Sequence, residues 1–288
     1  PIKNIIENLK NGISVFMPTY WGKNQSGMSA SVENNNLIYI TEDVAIPRER
    51  AWKDAMMTVI YFAEKFMTAE YHKQIIGRLL EPFMMVKVIL SGTEWDNFYN
   101  LRIHPSAEPH FRDLAIKIYE AIRESKPLVL GVGEYHLPYI KYERDESGAI
   151  VYKDSHGKVL DLDSAISISL SCIAQTSYRK TDDSIEKAQV VIDKLFNGDV
   201  VHASPAEHIA TPMTSLNVFS STRTPIGYDF DIKSPDVWEK GVTHVDRHHN
   251  FWSGQLKHFI QYRQLLPNNV CNNFTHEKFL EYTKDPII

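Results

Sequence analysis

Residues 166–172 read Ile166-Ser167-Ile168-Ser169-Leu170-Ser171-Cys172. Apolar and small polar side chains alternate here with period two, which on pattern alone predicts a strand with one buried face. Just upstream, residues 143–162 are polar and contain Gly148 and Gly157. That composition suits a hairpin tip or linker and divides the chain into 1–142, 143–162 and 163–288. Downstream, Ile185, Ala188, Ile192 and Leu195 form a helical stripe from about Asp183 to Asn197. Asp183 and Glu186 stand at capping-box spacing at its start, and Gly198 stops it.

Two further helices are expected. Trp52, Ala55, Met56, Val59, Ala63 and Phe66 recur every three or four residues behind Pro47. Ala107, Phe111, Leu114, Ala115, Ile118 and Ile122 do the same. Between them, residues 84–90 are short, apolar and partly β-branched, which favours a strand. Residues 217–250 are rich in turn formers and give no clear element.

The chain has 288 residues, 43% of them hydrophobic and 23% charged, enough to build a core without disulfides. No apolar run approaches the roughly 18 residues of a membrane span. Its 31 basic against 36 acidic residues give a net charge of −5, the wrong balance for wrapping a nucleic acid. A single phosphate needs only two or three local cations, so a nucleotide ligand stays open. The first residues, Pro1-Ile2-Lys3-Asn4, carry no signal-peptide pattern, and a cytoplasmic protein is expected. Cys172 and Cys271 make no disulfide framework. Cys172 looks buried and Cys271 has no basic neighbour in sequence, so neither reads as an activated nucleophile.

Four polar groupings could carry chemistry. In 77–82, Arg78 and Glu81 punctuate an apolar helix end. Arginine suits a phosphate, because its planar fork matches two oxygens, although a surface ion pair is the blander reading. In 94–104, Asn97 and Arg102 lie five residues apart and, in a helix, are expected near one another across a turn with aromatics between them. That arrangement suits a planar phosphorylated heterocycle or simply core packing. In 202–208, His202, Glu207 and His208 invite zinc, but the spacing departs from H-E-x-x-H and Pro205 interrupts the helix. His244, Arg247, His248 and His249 form a fourth cluster, a metal or anion site or solvated loop histidines. Neither a P-loop nor a G-x-G-x-x-G cradle is present.

Taken in order, several phrases resemble the flavin-dependent thymidylate synthases, in a long form associated with phage genomes. They are WGKNQSGM (21–28), HKQIIGRLLEPF (72–83), TEWDNFYNLR (93–102), HPSAEP (104–109), GEYHLP (133–138), AQTSY (174–178) and HASPAEH (202–208), with QYRQLL (261–266) as a further match. The resemblance implies an α+β fold with helices packed on a mainly antiparallel sheet, and a helix leading into 174–178 in place of the strand. It implies reductive methylation of dUMP to dTMP, with methylenetetrahydrofolate supplying the carbon and FAD, reduced by NADPH, the hydride. No cysteine nucleophile is needed. Arg78 and Arg102 would hold dUMP, while Asn97, Ser177, His202, Ser204 and Glu207 would contact the flavin, which replaces the zinc reading. A homo-oligomer, a tetramer, would share the flavin sites between subunits; neither nucleic acid nor membrane is expected as a partner.

Two departures stand out. Glu108 occupies a position where the family usually has Gln. The family's R-H-R-x-x-S segment is not among these residues. In the long form it lies directly before the phrase that resembles 1–6, so the expectation is a chain that starts just past it. The alternatives are a non-catalytic nucleotide-binding remnant, a component needing a separate N-terminal segment, an enzyme making a related modified deoxyuridylate and, more distantly, a metal-dependent hydrolase.

Overall fold

A computed structural model describes residues 2–27, 30, 32–177, 181–198, 200–224 and 227–284. It is mixed α+β and divides into two compact units, 1–87 with 95–126 and 88–94 with 127–288. Among the described residues no helix is long and apolar enough to cross a membrane.

The first unit contains α1 (Ile2–Lys10), β1 (Ile38–Thr41), β2 (Val44–Ile46), α2 (Arg48–Thr68), α3 (Lys73–Leu80), α4 (Asp96–Arg102) and α5 (Pro109–Glu124). Its core forms where Ile6 and Leu9 of α1 meet Met56, Ile60 and Ala63 of α2 and Ile76 and Leu80 of α3. The stripe read from Trp52 to Phe66 supplies this face, with Ile60 added at its centre and Ala55 left exposed. Pro47 sits at the N-cap of α2, where its missing N–H costs nothing. Trp52 donates its indole N–H to the Phe16 carbonyl at 3.1 Å and meets the Phe83 ring edge-on.

The strand expected over 84–90 does not form. Met84 bridges Val15 and Met85 donates to the Ser14 carbonyl, but beyond them Val86, Val88 and Leu90 are exposed. β-Branching favours extended backbone, yet a strand also needs a neighbour to pair with.

The second unit contains β3 (Lys141–Arg144), β4 (Ile150–Lys153), β5 (Val159–Leu160), α6 (Leu162–Ala174), α7 (Ile185–Phe196), β6 (Ala210–Pro212), β7 (Phe219–Thr224), β8 (Gly227–Ile232), β9 (His244–Val245), β10 (Phe251–Ser253), β11 (Leu256–Lys257), β12 (Phe259–Gln261) and α8 (His276–Tyr282). The described sheets are all antiparallel and have two or three strands each, instead of one larger sheet. Residues 143–162 run through the hairpins of the β3–β4–β5 meander.

The stretch 166–172 is helical, inside α6, as the resemblance implied and against its period-two pattern. The physical reason is that burial does not follow the alternation, since only Ser167 of the seven is partly exposed. Alternation signals a strand only when one face is wet, whereas Ile166, Ile168, Ser169, Leu170, Ser171, Cys172 and Ile173 are all buried. The serines are small enough to admit neighbours, and the hydroxyls of the two buried ones, Ser169 and Ser171, are satisfied. Ser169 donates to the Pro138 carbonyl at 2.7 Å, and Ser171 Oγ accepts from Gln175 Nε2 at 3.0 Å. Asp161 caps the start, accepting from Ser164 N at 2.8 Å. Against α6 pack α7, the meander, Leu137 and Ile209.

Helix α7 begins one residue later than its capping-box spacing indicated. Ser184 is its N-cap, because the Asp183 carboxylate is drawn off to Ser155 N at 3.1 Å. A smaller core gathers Met213, Val218, Phe251 and Ile260 around β6, β10 and β12. Gly254 turns the β10–β11 hairpin at φ +55°, and a Cβ there would come within 2.6 Å of Gln261 Oε1. The turn therefore has no room for a side chain.

Two measurements check this architecture. Truncating fully enclosed Ile168 to Ala should lower unfolding free energy by roughly 2–5 kcal/mol, read from urea midpoints, while Ser167→Ala on the same helix should change it little. The second concerns Glu134. Two hydrogen bonds from Arg144 (2.8 and 2.6 Å), then the Gly131 N–H, hold its carboxyl down from 4.5 to about 2. A depressed acid stabilises the fold fully above its ordinary value and loses that contribution as pH falls through the folded one. Urea midpoints should therefore drop between pH 4.5 and 2, with a shallower slope in Glu134→Gln.

Candidate functional site

The residues singled out from sequence fall into the two units. In the first, Arg78 lies in the last turn of α3 and is exposed. Asn97 and Arg102 open and close α4. Five residues turn a helix through roughly 500°, so their side chains leave about 140° apart instead of converging. Asn97 is exposed, and the Arg102 guanidinium lies over the Phe111 ring, 5.3 Å from its centroid. Among the described residues neither Arg78 nor Arg102 pairs with a carboxylate. Arg48, Arg50, Arg144 and Arg263 all do.

The aromatics between Glu94 and His104 serve packing. Trp95 stacks on Tyr99, and Tyr99 meets Tyr119 edge-on at 5.1 Å, which fixes α4 against α5. The Tyr99 hydroxyl is enclosed without a hydrogen-bond partner, and its pKa is raised chiefly by burial. Glu108 is the N-cap of α5. It accepts from Phe111 N at 2.8 Å and contacts His110 Nδ1 at 2.7 Å. Burial opposes its charge, but hydrogen bonds from His110 and the Phe111 N–H outweigh that and leave its pKa lowered. The charge where the family has an amide is thus used to start a helix.

In the second unit, Ser177 lies in the turn after α6 and is exposed; Tyr178 falls outside the described residues. His202 anchors its backbone N–H on the Leu195 carbonyl at 2.7 Å and leaves its ring exposed. Ser204 begins a single 3-10 turn, Ser204–His208, in which Pro205 occupies a position needing no N–H donor. Ser204 is exposed, whereas Glu207 is half-buried and forms an ion pair with Arg263. Gln261 Nε2 donates to the Glu207 carbonyl at 3.2 Å. The phrases 202–208 and 261–266 are thereby joined.

In the sequence, 261–266 is visible only as a phrase. That Gln261 is enclosed and Arg263 engaged has no local signal, since the pairing spans 56 residues. The Arg263 Nε and Asn269 Oδ1 are enclosed without partners, beside a hydrogen bond from Arg263 Nη2 to the Asn269 carbonyl at 3.2 Å. His208 Nδ1 lies 3.0 Å from Ser91 Oγ, and burial, opposed by Glu207, lowers its pKa so that the ring is neutral near pH 7.

A cavity of about 260 Å³ between α6, α7 and Tyr262, and a groove of about 760 Å³ at the head of α7, are lined by none of Ser177, His202, Ser204 or Glu207. These four stand at the unit's surface. Among the described residues no three His, Cys, Asp or Glu side chains converge as metal ligands. The hydrolase reading of 202–208 and 244–249 therefore has no ligand set there. No protein-family model, curated protein or solved structure matches the chain.

The two cysteines differ sharply. Burial, then Asp183 and Asp182, pushes the Cys172 thiol up to about 12, while Cys271 is exposed. One thiol per native chain should react with a disulfide reagent at neutral pH. The second should appear only on denaturation, and the slow thiol should vanish in Cys172→Ala.

Proposed function

We propose that the chain binds dUMP and acts in its flavin-dependent reductive methylation to dTMP, on the α+β scaffold of the flavin-dependent thymidylate synthases. The observation that carries this reading is the state of Arg78 and Arg102. Both match the family's nucleotide arginines, both reach solvent, and among the described residues neither is neutralised by a carboxylate. A phosphate monoester is the partner such guanidinium groups suit, through short charge-assisted hydrogen bonds. Phe111 beneath Arg102 keeps one guanidinium face desolvated, which strengthens its hold on an anion.

The flavin-contacting set fits FAD in its chemistry. The hydroxyls of Ser177 and Ser204 and the imidazole of His202 make no internal hydrogen bond among the described residues, so their capacity for an outside ligand is unspent. Asn97 offers a free amide, able to donate and accept at a heterocycle edge. Glu207 differs: with its carboxylate held by Arg263 it steadies the 204–208 turn and acts through that turn. When bound, FAD recharged by NADPH supplies the hydride, and methylenetetrahydrofolate supplies the carbon. Surface placement of these residues agrees with a site completed by another copy of the chain, hence with a homo-oligomer such as a tetramer.

Direct titration with dUMP, followed by dTMP formation with FAD, NADPH and methylenetetrahydrofolate, tests the proposal. Arg78→Ala and Arg102→Ala should each weaken dUMP binding roughly tenfold to a hundredfold, the worth of a hydrogen bond between charged groups. Absence of saturable dUMP binding would overturn the reading. Binding without turnover would select the non-catalytic nucleotide-binding component instead.

A further inference from the structure

The cluster at 244–249 is not used by the proposed reaction, and the fold gives it a definite shape. In the β11–β10–β9 sheet, Trp252 is directly opposite His244 on one side and Lys257 on the other. Directly opposed residues project from the same face, so the three form a row across it. The His244 ring stacks on Trp252 with centroids 5.8 Å apart and planes 20° from parallel. His244 is exposed, so its outer face is an aromatic step backed by a larger ring.

The β9–β10 turn beside this step is held by one carboxylate. Asp246 accepts from His248 N at 2.8 Å, Asn250 N at 3.0 Å, Asn250 Nδ2 at 3.0 Å and Trp252 Nε1 at 3.0 Å. The same aspartate thus fixes the indole and the turn together, and its charge is absorbed by these donors. At the tip, Arg247 Nε donates to His248 Nε2 at 3.1 Å, and among the described residues its terminal guanidinium nitrogens, on an exposed residue, have no partner. His249 turns back at φ +67° and rests against Phe219. Arg247 lies three residues from His244, within roughly 10 Å along extended chain.

We propose that this face binds a free nucleotide, separate from the dUMP site, with its heterocycle stacked on His244 and its phosphate on Arg247 and the ring N–H of His248. An aromatic platform with an adjacent arginine and a neutral ring N–H matches a base that carries a phosphate, and stacking on it tolerates any base. A polynucleotide is disfavoured by the chain's net charge of −5. Lys257 is tied to Glu94 at 3.4 Å and contributes no free charge to the phosphate.

Calorimetric titration of the full chain with AMP, adenosine, inorganic phosphate and a thymidine oligonucleotide tests this assignment, with dUMP titrated in parallel. The double variant Arg247→Ala/His248→Ala, both at exposed positions, should weaken AMP at least roughly tenfold and leave adenosine little changed. His244→Ala should weaken AMP and adenosine alike. Arg78→Ala/Arg102→Ala should leave AMP within about twofold while dUMP binding falls, which separates this site from the first. The assignment is overturned if AMP shows no saturable binding at millimolar concentration, or if its binding follows Arg78 and Arg102 instead. It is equally overturned if the oligonucleotide binds more than about tenfold tighter than AMP. Circular dichroism and unfolding midpoints of each variant confirm that the fold is kept.

Discussion

Burial of most of α6, from Ala165 to Ile173, is the constraint from which the second unit is built. A helix so deeply set has to satisfy the polar atoms it buries, and here Pro138 and Gln175 answer Ser169 and Ser171. Gln175 in turn donates to the Asp182 carbonyl at 3.0 Å and accepts from Asp182 N, which brings the chain from the end of α6 toward the head of α7. The meander covers a further face, and Ile209 joins the same cluster immediately after the 204–208 turn. Ser204 and Glu207 therefore stand on a turn whose next residue is core. Glu207 and Arg263 secure it from the other side.

Legibility of the sequence followed the range of the forces involved. The stripes of α2 and α7 could be read directly, because each has a wet face and a dry one and local periodicity records the difference. In the stripe read for α5, only Ala115 is buried within the helix, and Phe111, Leu114 and Ile122 are exposed. The same logic failed for 166–172, where burial does not alternate with the sequence and Ser169 and Ser171 mark close packing and buried hydrogen bonds. It failed again for 84–90, where extended propensity met no partner strand. Caps were legible to within a residue, and what displaced Asp183 from its cap was Ser155, 28 residues away.

The site was legible only as phrases. Residue types at Arg78, Arg102, Ser177, His202 and Ser204 were visible, but whether a guanidinium is spent or free depends on tertiary pairing. Arg263 and Arg102 look alike as letters. One is bound to a carboxylate 56 positions away and the other rests on a phenyl ring. Likewise, the histidines at 244–249 differ once folded. His244 stacks on Trp252 and His249 leans on Phe219, while His248 takes a hydrogen bond from Arg247.

Glu108 carries a consequence for the polarity of its surroundings. The ring of His110 receives the Thr19 N–H on Nε2 at 3.2 Å and faces Glu108 through Nδ1. An imidazole that accepts on one nitrogen keeps its proton on the other, so this ring is fixed in a single tautomer. The carboxylate, which has only acceptors to offer, matches that tautomer; a glutamine in its place would have to turn its amide oxygen to the same proton. A short chain of hydrogen bonds therefore runs in one direction, from the Thr19 backbone through the imidazole to the first turn of α5.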